Sequence, residues 1–442
     1  MAEFGTNGFR GKAGSFSKHG LMKIGEELAK TGFDGKIVIG RDTRESSQEF
    51  YEAIVSGINF VGKEVIDLGV VTTPCVSYFS RVIAEAKYGI MITASHNPYY
   101  DNGIKVFEHG NKIDEKLEKK LFDVYSRETG DLRLESGDKR DKRVETRDCL
   151  NYLKYVSRGF DLNKVSHKKI VIDLANGSAS FLAKKIFSSD NFNFISDLPN
   201  GININENCGI IFPQTLERKV LESNAYIGIS YDGDCDRVGF CDENGKTIDG
   251  DYVMAFIARD MLLKGELENN TLVVTEYSNL ALDNYIESLG GKVVRVKNGD
   301  KNVFKMMKEG RYNFGGEKLG HIIFGREYGT GDGFFATKEV LSRLDYSKSA
   351  SAQMKLFELN SQIILNVPVK NKIPFLEIDG FEGTIDKVRK GLNGSGRVLV
   401  RYSGTEDVCR IMLEGNREKG VLLQMGEDIS KGIEGRVWNY FK

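Results

Sequence analysis

The acidic run Asp232-Gly-Asp-Cys-Asp-Arg237 carries the strongest chemical signal in the sequence. Three carboxylates at alternate positions repel one another, so placing them in one loop is costly unless a cation neutralises them, and ligation by oxygen alone suits Mg²⁺ or Ca²⁺. A calcium-binding loop is excluded because Arg237 stands where such a loop needs glycine. Two interpretations stay open: a divalent-cation site at Asp232, Asp234 and Asp236, and a solvated acidic turn.

A second candidate is the serine of the run Thr93-Ala-Ser-His-Asn-Pro98. The run follows the strand-like segment 88–92, which places Ser95 on a loop at the carboxyl edge of a sheet, where α/β folds bind ligands. Ser95 would act there as a nucleophile or carry a phosphoryl group. The alternative is a turn whose polar side chains only satisfy backbone groups. The Gly-x-Ser-x-Gly frame of a hydrolase is absent from this run.

The run Gly315-Gly-Glu-Lys-Leu-Gly-His321 is a candidate ligand loop. Paired glycines let the backbone approach a ligand closely. Glu317, Lys318 and His321 could then hydrogen-bond a polyol or a phosphate. A glycine-rich turn with a surface charge pair explains the same residues equally well.

Two arginine-containing runs could bind an anion. In Arg401-Tyr-Ser-Gly-Thr-Glu406, hydroxyls and backbone N–H groups form a concave nest, to which forked guanidinium donors add; the run also fits a helix capping box. In Gly5-Thr-Asn-Gly-Phe-Arg-Gly11, Arg10 either faces an anionic site or lies on the surface. The candidate phosphate-binding residues of the first run and the strand that follows are Arg401, Ser403, Gly404, Thr405 and Arg410.

The elements that would position these loops follow an α/β pattern, because short apolar runs alternate with amphipathic stretches. Three units of strand, polar loop and helix predict three related α/β domains, and two later strands with a final helix predict a smaller C-terminal α+β domain. Asp332 is predicted to cap a helix. The predicted strands of the three units are 36–40, 169–173 and 272–275, and the helix of the second unit is predicted to run through Phe187. The predicted domains are 1–148, 149–250, 251–366 and 367–442.

The amino-acid composition excludes or disfavours several classes of protein. The 442 residues contain 62 Lys and Arg against 63 Asp and Glu, so no basic excess favours a nucleic-acid partner. Six cysteines without a Cys-x-x-Cys pair exclude a zinc ribbon and favour a reducing compartment. With no signal peptide and no apolar run of about 20 residues, we expect a cytoplasmic protein without a membrane partner. A monomer and a homodimer both stay open.

The order of the four loops resembles the α-D-phosphohexomutase superfamily. A loop serine, a triple-aspartate loop, a Gly-Glu-x-x-Gly-His turn and an Arg-x-Ser-Gly-Thr loop follow one another from Gly5 to the last domain. The resemblance implies four domains around a central cleft, each contributing one loop. The segments 97–105 and 330–333 are most similar to the branch that acts on glucosamine phosphates.

The resemblance also implies a role for each candidate residue. Ser95 would be a phosphoserine, and one Mg²⁺ per chain would be held by its phosphate with Asp232, Asp234 and Asp236. Lys105 would be a proton shuttle. The transfer site would be lined by Arg10, His96, Lys105 and Arg237, the sugar would face Glu317, Lys318 and His321, and the substrate phosphate would face Arg401, Ser403, Gly404, Thr405 and Arg410.

The implied reaction interconverts glucosamine 6-phosphate and glucosamine 1-phosphate, with a hexose or hexosamine 1,6-bisphosphate as intermediate and activator. The small-molecule partner is therefore a sugar phosphate. The alternative is the same chemistry on glucose or mannose phosphates, because Leu319 stands where the superfamily usually has serine. Cys235 likewise replaces a common glycine. A sugar-phosphate-binding protein without catalysis is disfavoured by the complete serine, aspartate and arginine loops.

Overall fold

The computed structural model describes residues 3–5, 8–31, 35–127, 144–146, 148–326, 329–394, 396–403 and 407–437. The chain divides into two compact units, Met1–Tyr277 with Leu289–Leu356 and Ser278–Ser288 with Phe357–Lys442. The helices of the described residues are α1 Lys18–Ala29, α2 Ser47–Phe60, α3 Thr73–Val82, α4 Glu115–Ser126, α5 Leu150–Ser157, α6 Leu162–Val165, α7 Ala183–Ile186, α8 Gln214–Ser223, α9 Gly250–Leu263, α10 Leu280–Ser288, α11 Asp300–Gly310, α12 Gly333–Arg343, α13 Ala350–Met354, α14 Phe381–Gly391 and α15 Lys419–Val437. The strands are β1 Glu3–Gly5, β2 Gly8–Lys12, β3 Lys36–Arg41, β4 Glu64–Val70, β5 Ala86–Ile92, β6 Asp101–Glu108, β7 Asn111–Lys112, β8 Val144–Thr146, β9 Ile170–Asp173, β10 Phe192–Ile195, β11 Ile227–Tyr231, β12 Val238–Asp242, β13 Thr247–Ile248, β14 Thr271–Thr275, β15 Lys292–Val296, β16 Phe314–Gly316, β17 Ile322–Phe324, β18 Ser361–Pro368, β19 Gly396–Tyr402 and β20 Val408–Gly415.

The first unit contains three sheets that share one core topology. In the first sheet β3 is parallel to β4 and β5, and β5 turns back into the antiparallel β6. The second sheet repeats this pattern with β9, β10, β11 and β12, and the third with β14, β15, β16 and β17. This repetition confirms the prediction of three related α/β domains.

The shared topology puts the three candidate loops at equivalent positions. Each loop joins the third strand of its core pattern to the antiparallel fourth strand. These loops begin at Thr93 after β5, at Asp232 after β11 and at Glu317 after β16. Because the third strand is parallel to the first, each loop lies at the carboxyl edge of its sheet, where α/β folds bind ligands.

The second unit is a smaller α+β structure, as predicted. Its sheet has the order β18-β20-β19 and is antiparallel throughout. Side chains of the sheet and of helices α14 and α15 form one hydrophobic core, which includes Ile385, Ile411, Leu413 and Ile429. The boundaries at 148, 250 and 366 stay predictions.

Helix starts are specified by capping side chains. Ser17 accepts a hydrogen bond from the Gly20 N–H at the start of α1, and Asp114 accepts one from Leu117 at the start of α4. Asp332 accepts one from the Phe335 N–H at 3.0 Å, which confirms its predicted role as the cap of α12. None of the helices within the described ranges combines the length and apolar character needed to cross a membrane.

One predicted helix is wrong. The segment expected to form a helix through Phe187 is a 3-10 turn over Ser178–Phe181 followed by the single turn α7. Ser178 donates its N–H and its hydroxyl to the Gly233 carbonyl at 2.9 and 3.1 Å. This tertiary contact with the acidic loop replaces the regular start of a helix.

Helices α1 and α2 pack against each other with their backbones in contact. A Cβ atom on Gly57 would lie 1.9 Å from the Met22 carbonyl oxygen, and one on Gly25 would lie 2.2 Å from the Ile54 carbonyl oxygen. Both distances are far below van der Waals contact, so glycine is required at both positions. The buried side chains of these helices cover the sheet that carries the serine loop.

We expect Gly57→Ala to lower the free energy of unfolding by about 1–3 kcal/mol, because the new methyl group forces the two helices apart. Urea unfolding followed by circular dichroism measures the change. Gly14→Ala is the matched control, since a Cβ at Gly14 meets nothing within 4 Å, and its effect should stay within about 0.5 kcal/mol. Equal stability of the two variants would contradict the packing argument.

Candidate active site

The serine loop brings Ser95 into the acidic loop. Ser95 is buried, with 1 % of its surface exposed, and has a left-handed backbone with φ 56°. Non-glycine residues adopt this conformation rarely, and such residues cluster at functional sites. The Ser95 N–H donates to Thr93 Oγ1 at 2.8 Å, and Ser95 Oγ donates to Asp232 Oδ2 at 2.6 Å. The structure thus joins the two strongest sequence candidates across 137 positions.

The three aspartates of the acidic loop form a buried cluster. Asp232, Asp234 and Asp236 are at most 3 % exposed, and one carboxylate oxygen of each lies within 4.8 Å of the others. Oδ1 of Asp234 and Oδ1 of Asp236 have no hydrogen-bond partner among the described residues. Buried carboxylate oxygens without partners are unfavourable unless a cation compensates them. The burial excludes the solvated turn, and the donor set fits a hard divalent cation.

Buried charges around this cluster compensate it in part. Lys105 Nζ lies 2.5 Å from Oδ2 of both Asp234 and Asp236. Burial disfavours the ammonium, but the two carboxylates raise the pKa of Lys105 above its usual value. Burial, followed by the charges of Asp236 and Asp234, raises the pKa of Asp232. Lys105 is therefore a protonated amine beside the serine and the aspartates.

Two guanidinium groups present unused donors in the same place. The Nε atoms of Arg10 and Arg237 are buried without a hydrogen-bond partner in the described part of the chain. The Arg237 N–H donates to Asp232 Oδ1 at 3.2 Å. Partial burial, with Arg237 and Arg10 nearby, lowers the pKa of His96 to about 2, so this imidazole is neutral. Unpartnered guanidinium donors beside a serine suit an anionic group such as a phosphate.

The acidic loop is held by backbone contacts from the starts of helices α3 and α12. The Thr73 N–H donates to the Asp234 carbonyl at 2.9 Å, and the Gly333 N–H donates to the Cys235 carbonyl at 3.0 Å. Cys235 has φ 58° and is fully buried, so this position needs the left-handed conformation that glycine adopts most easily. A Cβ on Gly233 would lie 2.7 Å from the Ser95 carbonyl oxygen, so only glycine permits this approach of the two loops.

The third loop contacts the acidic loop through His321. Its Nδ1 lies 3.6 Å from Asp236 Oδ1, and its Nε2 lies 2.9 Å from Asp300 Oδ2. Burial opposes protonation, but Asp300 and Asp236 raise the pKa of His321 to about 9. Glu317 is also buried and accepts a hydrogen bond from the Gly299 N–H at 2.9 Å. His321 and the acidic loop thus belong to one site.

Lys318 lies in a different environment from Glu317 and His321. Its Nζ lies 3.1 Å from Asp249 Oδ2 and 3.7 Å from Asp251 Oδ2. Asp249 also caps helix α9. This ion pair ties the loop to α9, and a contact of Lys318 with the sugar stays a prediction.

The candidate phosphate-binding residues lie in the second unit. Arg401 on β19 and Arg410 on β20 are directly opposite each other in the antiparallel ladder. Like charges in such a pair destabilise a sheet, so an anion near both would be favourable. The Ser403 N–H donates to the Val408 carbonyl at 2.9 Å. Gly404 and Thr405 lie outside the described residues.

Several polar residues that support the site do not stand out in the sequence. They are Arg44, Thr73, Asn205 and Asp300. Arg44 follows the predicted strand 36–40 within a polar turn, and this position is the one feature of the sequence that could have indicated its role. Burial of an arginine behind the serine loop depends on tertiary packing, and no local pattern indicates it.

Comparison with known proteins identifies the family. Family models described as phosphoglucomutase/phosphomannomutase match residues 1–131 (alpha/beta/alpha domain I), 249–359 (alpha/beta/alpha domain III) and 364–431 (C-terminal domain). The chain belongs to the phosphoglucomutase/phosphomannomutase family, within the α-D-phosphohexomutase superfamily.

Curated relatives of the chain include phosphoglucosamine mutases. A phosphoglucosamine mutase of Nautilia profundicola is 40 % identical over 441 residues, covering 97 % of this chain and 98 % of that one. A phosphoglucosamine mutase of Campylobacter hominis is 38 % identical over 444 residues, with the same coverage of each chain.

Solved structures share the fold. A family member from Burkholderia thailandensis matches with a TM-score of 0.77 at 23 % identity, covering 97 % of each chain. The N-acetylphosphoglucosamine mutase of Aspergillus fumigatus, in complex with GlcNAc-6P and magnesium, matches with a TM-score of 0.68 at 17 % identity, covering 98 % of this chain and 95 % of that one.

The burial of Asp332 predicts that the stability of the protein depends on pH. Its Oδ2 accepts a hydrogen bond from the Tyr152 hydroxyl at 2.9 Å, and burial raises its pKa from 3.8 to about 7. The folded state therefore binds more protons than the unfolded state between these values, so this group's contribution to stability falls as pH rises.

We expect Asp332→Asn to gain stability relative to the wild type as pH rises from about 4 to about 7, by at most roughly 4 kcal/mol. Asparagine keeps the helix cap but does not titrate. Urea midpoints across this range measure the difference. Asp345→Asn is the control, because the pKa of Asp345 is lowered to about 2, so this carboxylate stays ionised in the folded state and its contribution to stability changes little across the range. The prediction would be contradicted if the urea midpoints of the wild type and of Asp332→Asn changed in parallel with pH.

Proposed function

We propose that this protein is a phosphoglucosamine mutase, which interconverts glucosamine 6-phosphate and glucosamine 1-phosphate. Full-length relatives with that name at 37–40 % identity support the proposal. The observation that carries the chemistry is the 2.6 Å contact between Ser95 Oγ and Asp232 inside the buried aspartate cluster. Phosphoryl transfer relies on positioning and on electrostatic stabilisation, which a hydroxyl, three carboxylates that can hold a cation, and guanidinium donors would together supply.

We propose Mg²⁺ as the cation, one per chain. Asp232, Asp234 and Asp236 would hold it together with the phosphate on Ser95. All-oxygen donors, including a phosphate, suit Mg²⁺. When bound, the ion would neutralise charge on the phosphoryl group during transfer.

The proposed reaction has two balanced transfers. The phosphoryl group leaves Ser95 Oγ and bonds to the free 1-hydroxyl of glucosamine 6-phosphate, which gives glucosamine 1,6-bisphosphate. The 6-phosphoryl group then returns to Ser95 Oγ, which leaves glucosamine 1-phosphate. In each transfer one O–P bond breaks and one forms. Protonated Lys105 would donate a proton to the oxygen that is released and then take up the proton of the hydroxyl that is phosphorylated.

The remaining candidates would bind and orient the substrate. Arg10, Arg237 and His96 would contact the phosphoryl group that is transferred. His96 Nδ1 lies 3.4 Å from Ser95 Oγ, and both arginines interact electrostatically with His96. Glu317, Lys318 and His321 would face the sugar. The other phosphate would be held by Arg401, Ser403, Gly404, Thr405 and Arg410. A free bisphosphate would activate the enzyme by loading Ser95.

Ser95→Ala should lower kcat by at least about 10³-fold, because the variant lacks the hydroxyl that carries the phosphoryl group. Intact mass after incubation with glucosamine 1,6-bisphosphate and Mg²⁺ should show one phosphoryl group on the wild type and none on the variant. Ser188→Ala, an exposed serine, is the control and should match the wild type. Near-normal turnover by Ser95→Ala, with its thermal midpoint unchanged, would reject the phosphoserine role.

The substrate is tested by comparing glucosamine, glucose and mannose 1-phosphates, each with Mg²⁺ and the matching bisphosphate. We expect kcat/KM for the glucosamine substrate to exceed the others by at least about tenfold, equivalent to roughly 1.4 kcal/mol. EDTA should abolish turnover and added Mg²⁺ should restore it. Faster turnover of glucose or mannose phosphate would instead support the alternative, a phosphoglucomutase or phosphomannomutase.

Two further properties belong to the proposal. We propose a cytoplasmic location, which is supported by the six cysteines, since all of them are free and buried. We propose a monomer or a homodimer, which light scattering would distinguish.

A further inference from the structure

A buried arginine grips the serine loop from behind. Arg44 follows β3, and none of its side-chain surface is exposed. Its Nη2 donates to the carbonyls of Ser95 at 3.0 Å and Asn97 at 2.8 Å. Its Nη1 donates to the Asp101 carbonyl at 3.0 Å and also to the Pro98 carbonyl. One guanidinium group thus satisfies four backbone carbonyls of the loop that carries Ser95.

Asp42 holds this arginine in place. Its Oδ2 lies 2.9 Å from Arg44 Nε, and its Oδ1 accepts a hydrogen bond from the Arg44 N–H at 3.1 Å. Asp42 also accepts hydrogen bonds from Ser47 Oγ at 3.0 Å and Thr93 Oγ1 at 2.7 Å. Because the ion pair is buried and its carboxylate is fully used, the guanidinium fork has one geometry.

A second donor reaches the same carbonyls from the loop between β10 and α8. Asn205 Nδ2 donates to the Ser95 carbonyl at 2.9 Å and to the Asn97 carbonyl at 3.1 Å. The Asn205 N–H donates to the Ala175 carbonyl at 2.9 Å, which anchors the residue beyond β9. The Ser95 carbonyl therefore accepts one hydrogen bond from the turn after β3 and one from the loop after β10.

These contacts fix the backbone at the position where it is least favourable. A serine with φ 56° returns to right-handed or extended backbone unless its surroundings hold it. Such a change would rotate the Cα–Cβ bond and move Oγ away from Asp232. The bonds to the Ser95 carbonyl oppose that rotation directly, because they restrain the peptide plane that follows Ser95.

We propose that Arg44 and Asn205 are positioning residues for phosphoryl transfer, which hold Ser95 Oγ in line with the aspartate cluster. Neither side chain touches the reacting atoms. The inference rests on the proposed function, since it concerns the rate at which Ser95 gains and loses its phosphoryl group. A displacement of about 1 Å in such a geometry costs roughly 10²-fold in rate.

Arg44→Lys tests the arginine. Lysine keeps the charge that Asp42 needs but cannot reach four carbonyls at once. In a single turnover with glucosamine 1,6-bisphosphate and Mg²⁺, we expect phosphorylation of Ser95 to slow by about 10²-fold, with kcat reduced equally and KM within about threefold. Arg41→Lys is the matched control, because Arg41 pairs with Asp67 at 2.9 Å instead of with the loop, and it should stay within about twofold.

Asn205→Asp tests the hydrogen bonds that Asn205 donates to the serine loop. If Arg44→Lys does not fold, this variant tests the positioning role in its place. The substitution is isosteric and turns the donor into an acceptor that faces two carbonyls. We expect the phosphorylation rate to fall by at least about tenfold. Asn203→Asp is the control, since Asn203 Nδ2 donates to the Leu198 carbonyl at 3.0 Å and not to the serine loop.

The outcomes separate this inference from the proposed function. If wild-type Ser95 takes no phosphoryl group from the bisphosphate, both fail. Suppose that the wild type is phosphorylated and that both variants, Arg44→Lys and Asn205→Asp, fold. If the variants are then phosphorylated as fast as the wild type, only the positioning role fails. A loss confined to KM, or an equal loss in the control variants, also overturns it.

Discussion

The structure depends on one electrostatic constraint, the burial of three carboxylates in a single loop. Isolated buried anions are prohibitively unfavourable, so the surroundings must supply positive charge or a cation. The protein does so from several elements: Lys105 comes from β6, Arg10 from β2 and His321 from the turn before β17. Removal of the cations would leave a cluster that could not stay buried.

A repeated topology lets one fold present three different chemistries at one place. In each sheet the candidate loop joins the third strand to the antiparallel fourth, so the same backbone position carries Ser95, the aspartates or His321. The contacts Ser95–Asp232 and Asp236–His321 show that these equivalent loops meet. The fold supplies the position, and the residue types supply the chemistry.

The site departs from local backbone preferences where the chemistry is concentrated. Ser95 and Cys235 both have left-handed backbones, and each is restrained by bonds to its carbonyl, from Arg44 and Asn205 in the first case and from Gly333 in the second. Strain of this kind persists only where the surrounding structure overdetermines it. In the proposed mechanism, the tightly packed neighbours that restrain these backbones would serve the function by positioning Ser95 and the aspartates.

The buried strands and the chemistry of the loop residues could be predicted from the sequence, whereas the helix through Phe187 could not. Buried parallel strands are continuous apolar runs, so β3, β9 and β14 could be predicted within a residue or two, and the aspartate spacing indicated a cation site. Only the tertiary structure decided which side chains converge: Ser95 with Asp232, Arg44 behind the serine loop, and Lys318 with Asp249. The physical reason is that periodicity reports neighbours along the chain, whereas these contacts join residues brought together by packing of separate sheets.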